Sequence, residues 1–252
     1  SRDWSSDVCS SDLRAVSDGE NRATRFARIF EENAWGNTES VSGEGSNLAR
    51  TAVVRAKLPA LLAKHGVRSI LDAPCGDFYW MKEVPLPGIA YVGVDIVKPI
   101  IDKDIELYAS PTRTFLLGDL VDGALPKADL VLCRDCLVHL TYDDTRRAIA
   151  NFRKSGATWL LTTTFTGPRE NHDIATGDWR PINLERAPYN FPPPVDLINE
   201  ELRPQLLQVA GSSTPQRTRA RMDAIERARR LFDSNAQPQL VLEAMAVELA
   251  RA

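Results

Sequence analysis

The chain has 252 residues, 43% of them apolar and 26% charged, with a formal charge of −3. This is the balance of a folded globular protein; it contains no run near the ~20 consecutive apolar residues of a membrane span and no signal-peptide pattern, so the expected location is cytoplasmic. The slight acidity gives no electrostatic reason to expect nucleic acid as partner, and Cys9, Cys75, Cys133 and Cys136 are too few and too uneven for a secreted disulfide framework.

In chain order, Asp3 to Leu13 (DWSSDVCSSDL) is Ser/Asp-rich without an apolar period, and its back-translation resembles a common sequencing-library adapter. Residues 1–13 are therefore set apart as a non-native tail. Residues 14–66 read as N-terminal helices, at Arg22–Asn33 and Leu48–Lys64, the second bent at Pro59 and closed by His65-Gly66. Between them Trp35 to Ser46 is polar and glycine-rich, the composition of a lid over a cleft or of a plain linker. From residue 67 to about 200 apolar strands alternate with helices. The strands are predicted at Ser69–Asp72, Ala90–Asp95, Thr114–Gly118, Asp129–Cys133 and Thr158–Thr163. That alternation predicts an α/β fold with a doubly wound, mainly parallel sheet covered on both faces. Thr141-Tyr-Asp-Asp144 has capping-box spacing and predicts a helix to about Lys154. Within residues 201–252, Arg217 to Ala252 reads as two amphipathic helices split near Pro238. There Ala228 to Leu249 resembles the C-terminal helices of the clamp-loader delta-prime subunit of bacterial DNA polymerase III, which would make this end foreign to the domain.

Ligands of such sheets bind beyond the carboxyl ends of the strands. Leu71 to Trp80 (LDAPCGDFYW) reads as a strand ending on an acid, a turn with one glycine, then a helix. Backbone N–H groups and a helix N-terminus at one spot suit an anion, unless the turn is merely structural. A dinucleotide fingerprint needs glycines where Pro74 and Phe78 stand. Asp95-Ile96 ends the second strand, where a carboxylate can accept both ribose hydroxyls. Gly118-Asp119-Leu120 follows the third, with Asp119 either an acceptor for an adenine amino group or a helix cap.

Taken in order, LDAPCGD, GVD, LLGD and ADLVLCRDCLVHL resemble the motifs of class I S-adenosylmethionine-dependent methyltransferases, over Val67 to Phe165. The resemblance implies a Rossmann-like seven-stranded sheet closed by a strand hairpin, and S-adenosyl-L-methionine as cofactor. It places Asp72, Ala73, Pro74, Cys75, Gly76 and Asp77 around the methionine part, Asp95 on the ribose, and Asp119 with Leu120 at the adenine. Of the pattern acid-x-Gly-x-Gly-x-Gly only Gly76 is kept; a cofactor without phosphate tolerates the bulk of Pro74 and Phe78 better than a pyrophosphate does. The flanks, Trp35 to Ser46 and Gly177 to Pro194, look like an uncharacterised bacterial group of these enzymes, which implies the reaction type and no substrate.

Methyl transfer from a sulfonium is an in-line displacement accelerated mainly by positioning, helped by a base where the acceptor carries a proton. His139 is the first candidate base, or else a packed, hydrogen-bonded histidine. Arg134 and Asp135 read as pocket residues, Asp135 facing the substrate. Trp35, Phe78, Tyr79 and Trp80 can offer a ring face to the sulfonium or pack in the core. Cys133-x-x-Cys136 lacks the second pair that zinc requires and reads as strand-end burial, so no metal is expected. No Asn/Asp-Pro-Pro-Tyr motif follows the fourth strand, which argues against amino methylation of DNA bases. After Thr166 come Arg169, Asn171, His172, Asp173, Trp179, Arg180 and Asn183. Asn171, Trp179, Arg180 and Asn183 are expected to recognise a small-molecule or saccharide acceptor, against the alternative of solvated turn residues. Two other functions stay open: a non-catalytic nucleoside-binding or regulatory domain, and an NAD-dependent oxidoreductase.

Overall fold

The structure, a computed structural model, describes residues 20–165 and 170–198. The adapter-like tail, Arg169 and the segment 201–252 lie outside the described residues. In order the elements are α1 (Arg22–Glu31), α2 (Leu48–Lys64), β1 (Ser69–Asp72), β2 (Ala90–Asp95), α3 (Lys98–Tyr108), β3 (Arg113–Leu117), β4 (Leu130–Cys133), α4 (Tyr142–Lys154) and β5 (Trp159–Thr162). Single 3-10 turns occur at Glu44–Ser46, Met81–Glu83 and Leu137–His139.

All four strand pairings are parallel, in the order β3-β2-β1-β4-β5. Side chains alternate between two packed faces, as the period of a strand requires. Ile70, Tyr91, Phe115 and Leu132 join Leu58 and Leu62 of α2 and Ile101 of α3; Leu71, Val94, Val131 and Cys133 join Ala148 and Phe152 of α4. The sheet is thus doubly wound and Rossmann-like, with its topological switch point between β1 and β4. Gly93 is forced in the middle of β2, since a Cβ there would lie 2.8 Å from the Phe115 ring and 3.0 Å from Cys75.

Local signals place the helix ends. Asn21 caps α1 by accepting from the Thr24 N–H at 2.9 Å, and the helix stops at Glu31 rather than at the predicted Asn33, which takes φ +43°. Thr141 caps α4 as predicted, its Oγ1 accepting from the Asp144 N–H at 3.0 Å.

Two expectations are corrected. No α-helix follows β1: Gly76 (φ +55°) and Phe78 (φ +53°) both adopt the left-handed region, and the chain makes turns and a single 3-10 turn instead. Nor does a helix link β3 to β4. Residues 118–129 form a loop in which Gly123 donates to the Asp119 carbonyl at 2.7 Å and Pro126 removes a donor. Five of the seven strands implied by the resemblance lie in the described residues; a closing hairpin after Pro194 falls almost wholly outside them. Among the described residues no helix is long and apolar enough to cross a membrane.

Asp104 of α3 is 1% exposed and its Oδ2 has no hydrogen-bond partner. Burial, reinforced by the charges of Asp77 and Asp95, raises its pKa to about 8. Because that lies above the unfolded value, the protonated carboxyl favours folding at low pH and this contribution is lost as pH rises toward 8, by at most about 1.4 kcal/mol per unit. The melting temperature is therefore expected to fall between about pH 4 and 8 and to level off above that, and Asp104→Asn to flatten the fall; an unchanged slope in the variant would place the titrating group elsewhere.

Candidate functional site

The carboxyl ends of the strands open into one cleft with about 1020 Å³ of empty space, open solvent at its mouth included. Eleven of the thirteen residues expected around the cofactor line it: Trp35, Asp72, Pro74, Cys75, Gly76, Asp95, Ile96, Gly118, Asp119, Leu120 and Arg134. Ala73 is buried beneath, its N–H donating to the Leu132 carbonyl at 2.9 Å. Asp77 serves a different purpose, described below.

Asp95 is buried at the end of β2. The Val97 N–H donates to its Oδ1 at 2.9 Å and the Gly76 N–H to its Oδ2 at 3.1 Å. Each oxygen thereby keeps a lone pair for a further donor. Burial raises this carboxyl to about 6. Asp72, at the end of β1, accepts from the Tyr91 hydroxyl at 2.7 Å, and burial pushes it up to about 7. Phe78, standing where the pattern would have a glycine, turns into the core against Tyr91, Tyr108 and Phe115, so its bulk does not enter the cleft.

Two N-terminal pieces cover the opening. Asp77 accepts from Ser40 Oγ and the Val41 N–H at 2.9 and 3.0 Å, while its own N–H donates to Ser42 Oγ at 3.1 Å. Segment 40–46 is thus latched to the turn after β1. A Cβ on Gly76 would run into Ser42 Oγ, and one on Gly45 would come within 2.8 Å of Asp135 Oδ2. Gly76→Ala is accordingly expected to lower stability by about 1–3 kcal/mol, by overpacking and by forcing a side chain into positive φ. A thermal melt indistinguishable from that of the parent chain would show that the latch yields freely.

The second piece is α1, which sequence reading did not assign to the site. Arg22 donates to Asp119 and Asp144 at 2.8 Å and also pairs with Asp122, and Phe26 and Phe30 line the cleft one and two turns on. The available signal was the spacing of these three residues on one helix face. Asp119 is consequently an anchor for α1, and its Oδ1 accepts from the Val121 N–H at 2.8 Å.

His139 lies in the 3-10 turn after β4, not in an α-helix. Its ring sits 5.3 Å from the Trp35 ring, and its Nδ1 is 2.8 Å from the Asp178 carbonyl. A carbonyl only accepts, so Nδ1 carries the proton. Burial lowers the imidazole pKa and keeps the ring neutral, which leaves Nε2 with a lone pair and no protein partner among the described residues. Beside it Asp135 takes φ +49°, locked by Thr163, whose Oγ1 accepts from its N–H and donates to its carboxylate at 2.9 and 2.8 Å. Arg134 pairs with Asp135 at 3.0 Å and lies 5.6 Å over the Trp80 ring.

No protein-family model matches the chain, and no curated protein does. Solved structures with a similar fold include the magnesium protoporphyrin IX methyltransferase of Synechocystis PCC 6803 with bound SAM: 17% identity, 62% of this chain, 82% of that one, TM-score 0.45. A SAM-dependent methyltransferase from Anabaena variabilis gives 16%, 57%, 61% and 0.44. The N-methyltransferase NodS from Bradyrhizobium japonicum, in complex with S-adenosyl-L-homocysteine, gives 16%, 52%, 67% and 0.42. With likeness this remote, the chain's own residues have to carry any functional reading.

The four residues expected to recognise the acceptor do not line the cleft. Asn171 ties its own loop together, donating to the carbonyls of Asn183 and Ala187 at 2.8 Å and accepting from the Asn183 N–H at 2.8 Å. Asn183 Oδ1 accepts from the Glu185 N–H at 3.0 Å, and Trp179 packs edge-on against Phe165. Arg180 is 0% exposed. Polar density in this stretch reflects a loop that satisfies itself internally.

Proposed function

We propose that the chain is an S-adenosylmethionine-dependent methyltransferase acting on a small-molecule or saccharide acceptor. One observation carries the reading: a buried carboxylate, Asp95, at the carboxyl end of β2, the strand next to β1 in a parallel sheet, held by two backbone donors and keeping acceptor capacity for a vicinal diol.

The rest of the cleft fits a nucleoside without phosphate. Its two arginines are already paired, Arg22 with Asp119, Asp122 and Asp144, and Arg134 with Asp135. Pro74 offers no N–H and no α-helix begins after β1, so in the turn where a dinucleotide fingerprint would hold it a pyrophosphate finds neither an unpaired arginine nor a helix N-terminus. This disfavours the dinucleotide alternative. Ile96, Val97, Ile100 and Leu120 give the apolar wall an adenine needs. Asp72, Gly76 and Arg134 would receive the amino-acid part, and Trp80 and Trp35 would offer ring faces near the sulfonium.

When bound, the sulfonium supplies an electrophilic methyl group for in-line displacement. Asp95 fixes the ribose; the lid and α1 exclude water. His139 Nε2 accepts the acceptor's proton, and Nδ1–H, held by the Asp178 carbonyl, keeps the ring in the tautomer that can do so. A carboxylate acceptor would require no such base, which favours an acceptor that carries a proton, a hydroxyl or an amine.

Calorimetric titration of the intact chain with adenosylmethionine and, separately, with NAD tests the reading; heat with NAD alone would overturn it. A labelled-methyl assay on cell extracts then separates an enzyme from a non-catalytic binder.

A further inference from the structure

Residues 177–180 run alongside the turn that carries His139. The Gly177 N–H donates to the His139 carbonyl at 2.8 Å, the Arg180 N–H donates to the Val138 carbonyl at 3.0 Å, and between them the Asp178 carbonyl meets His139 Nδ1 at 2.8 Å. Gly177 takes φ +94°, and a Cβ there would lie 2.7 Å from Arg25 Nε, so the strap is pressed closely against α1. What fixes its far end is Arg180. Its Nη1 donates to the Leu140 carbonyl at 2.6 Å, its Nη2 to the Tyr189 hydroxyl at 2.9 Å, and its guanidinium lies 5.1 Å over the Tyr142 ring. A fully buried guanidinium is expensive to place, and here one donor holds the end of the histidine turn at Leu140 while another holds Tyr189.

We propose that Arg180 is a positioning residue: by clamping strap 177–180 onto turn 137–140 it holds the Asp178 carbonyl on His139 Nδ1 and so fixes the tautomer whose Nε2 is free to take a proton. This rests on the reading of His139 as the base. The groups that face the imidazole electrostatically are Asp135, the carboxylate of Asp178 and Arg180 itself, whose positive charge also disfavours the imidazolium. Arg25, 3.9 Å from Asp178 Oδ1, offsets that carboxylate. Arg180 therefore contributes twice, through geometry and through charge.

The chain's three histidines make the test direct. Imidazole nitrogen NMR on the full chain, with His139 assigned through His139→Gln, reads tautomer and titration without any acceptor. The parent chain is expected to show His139 as a single Nδ1–H tautomer. In Arg180→Met the signal becomes a mixture of tautomers and the midpoint rises, while Arg180→Lys keeps the charge and restores part of the preference. Heat on adenosylmethionine titration stays within a few-fold of the parent in both. A pure Nδ1–H tautomer with unchanged midpoint in Arg180→Met overturns the proposal and leaves Arg180 a packing residue. Should that variant not fold, Tyr189→Phe removes one acceptor of the clamp: a shift in the same direction supports the assignment and no shift overturns it. Absence of adenosylmethionine heat in the parent chain, with the tautomer response intact, sinks the methyl-transfer reading instead.

Discussion

Replacing Asp95 by asparagine is expected to weaken adenosylmethionine binding by two to four orders of magnitude. Two hydrogen bonds from ribose hydroxyls to a buried carboxylate contribute about 1.5–3 kcal/mol each, and every ~1.4 kcal/mol is tenfold in affinity. Asparagine makes matters worse than simple loss of charge, because its NH2 must confront the N–H of either Gly76 or Val97. The same carboxyl predicts a pH signature. Burial has raised it to about 6, and only its ionised form accepts from both hydroxyls. Affinity should therefore be level above that value and decline about tenfold per unit below it. Titrations of parent and variant across pH 5–8 check both statements; equal affinities would remove Asp95 from the site.

Replacing His139 by alanine is expected to lower the rate of methyl transfer about 10²- to 10⁴-fold with little change in adenosylmethionine affinity, the usual contribution of a general base. The imidazole works in its neutral form, and burial holds its pKa below the ordinary histidine value. The parent rate should consequently be flat through neutrality and fall only in more acidic solution. Single-turnover assays with labelled cofactor would expose the alternative: an alanine variant as fast as the parent means that the ring is packing alone.

The parts of this molecule that repeat locally were legible. Strands β1 to β5 were legible to within a residue because short apolar runs and their bounding turns are short-range properties, and Thr141 announced α4 through its own side chain. The place of Asp95 in the cleft was legible because it follows from position at a strand end. The turn after β1 was misread for the opposite reason. Phe78 has no intrinsic reason to adopt φ +53°; it does so because Tyr91, Tyr108 and Phe115, distant in sequence, bury its ring. Arg180 was read as a substrate contact, since an arginine among polar loop residues looks exposed until the fold supplies Leu140, Tyr142 and Tyr189 around it. Arg22 escaped notice because its acids lie about a hundred residues away along the chain.

The latch between Asp77 and Ser40–Ser42 has a kinetic corollary. Gly76, adjacent to that latch, donates to the very carboxylate proposed to grip the ribose, so on that reading filling the nucleoside site and seating residues 40–46 would be linked, each favouring the other to the same degree. A methyl acceptor that gains from the seated segment then tightens the nucleoside behind it. On the proposed reading this favours, without compelling, a sequence in which the nucleoside enters first and leaves last.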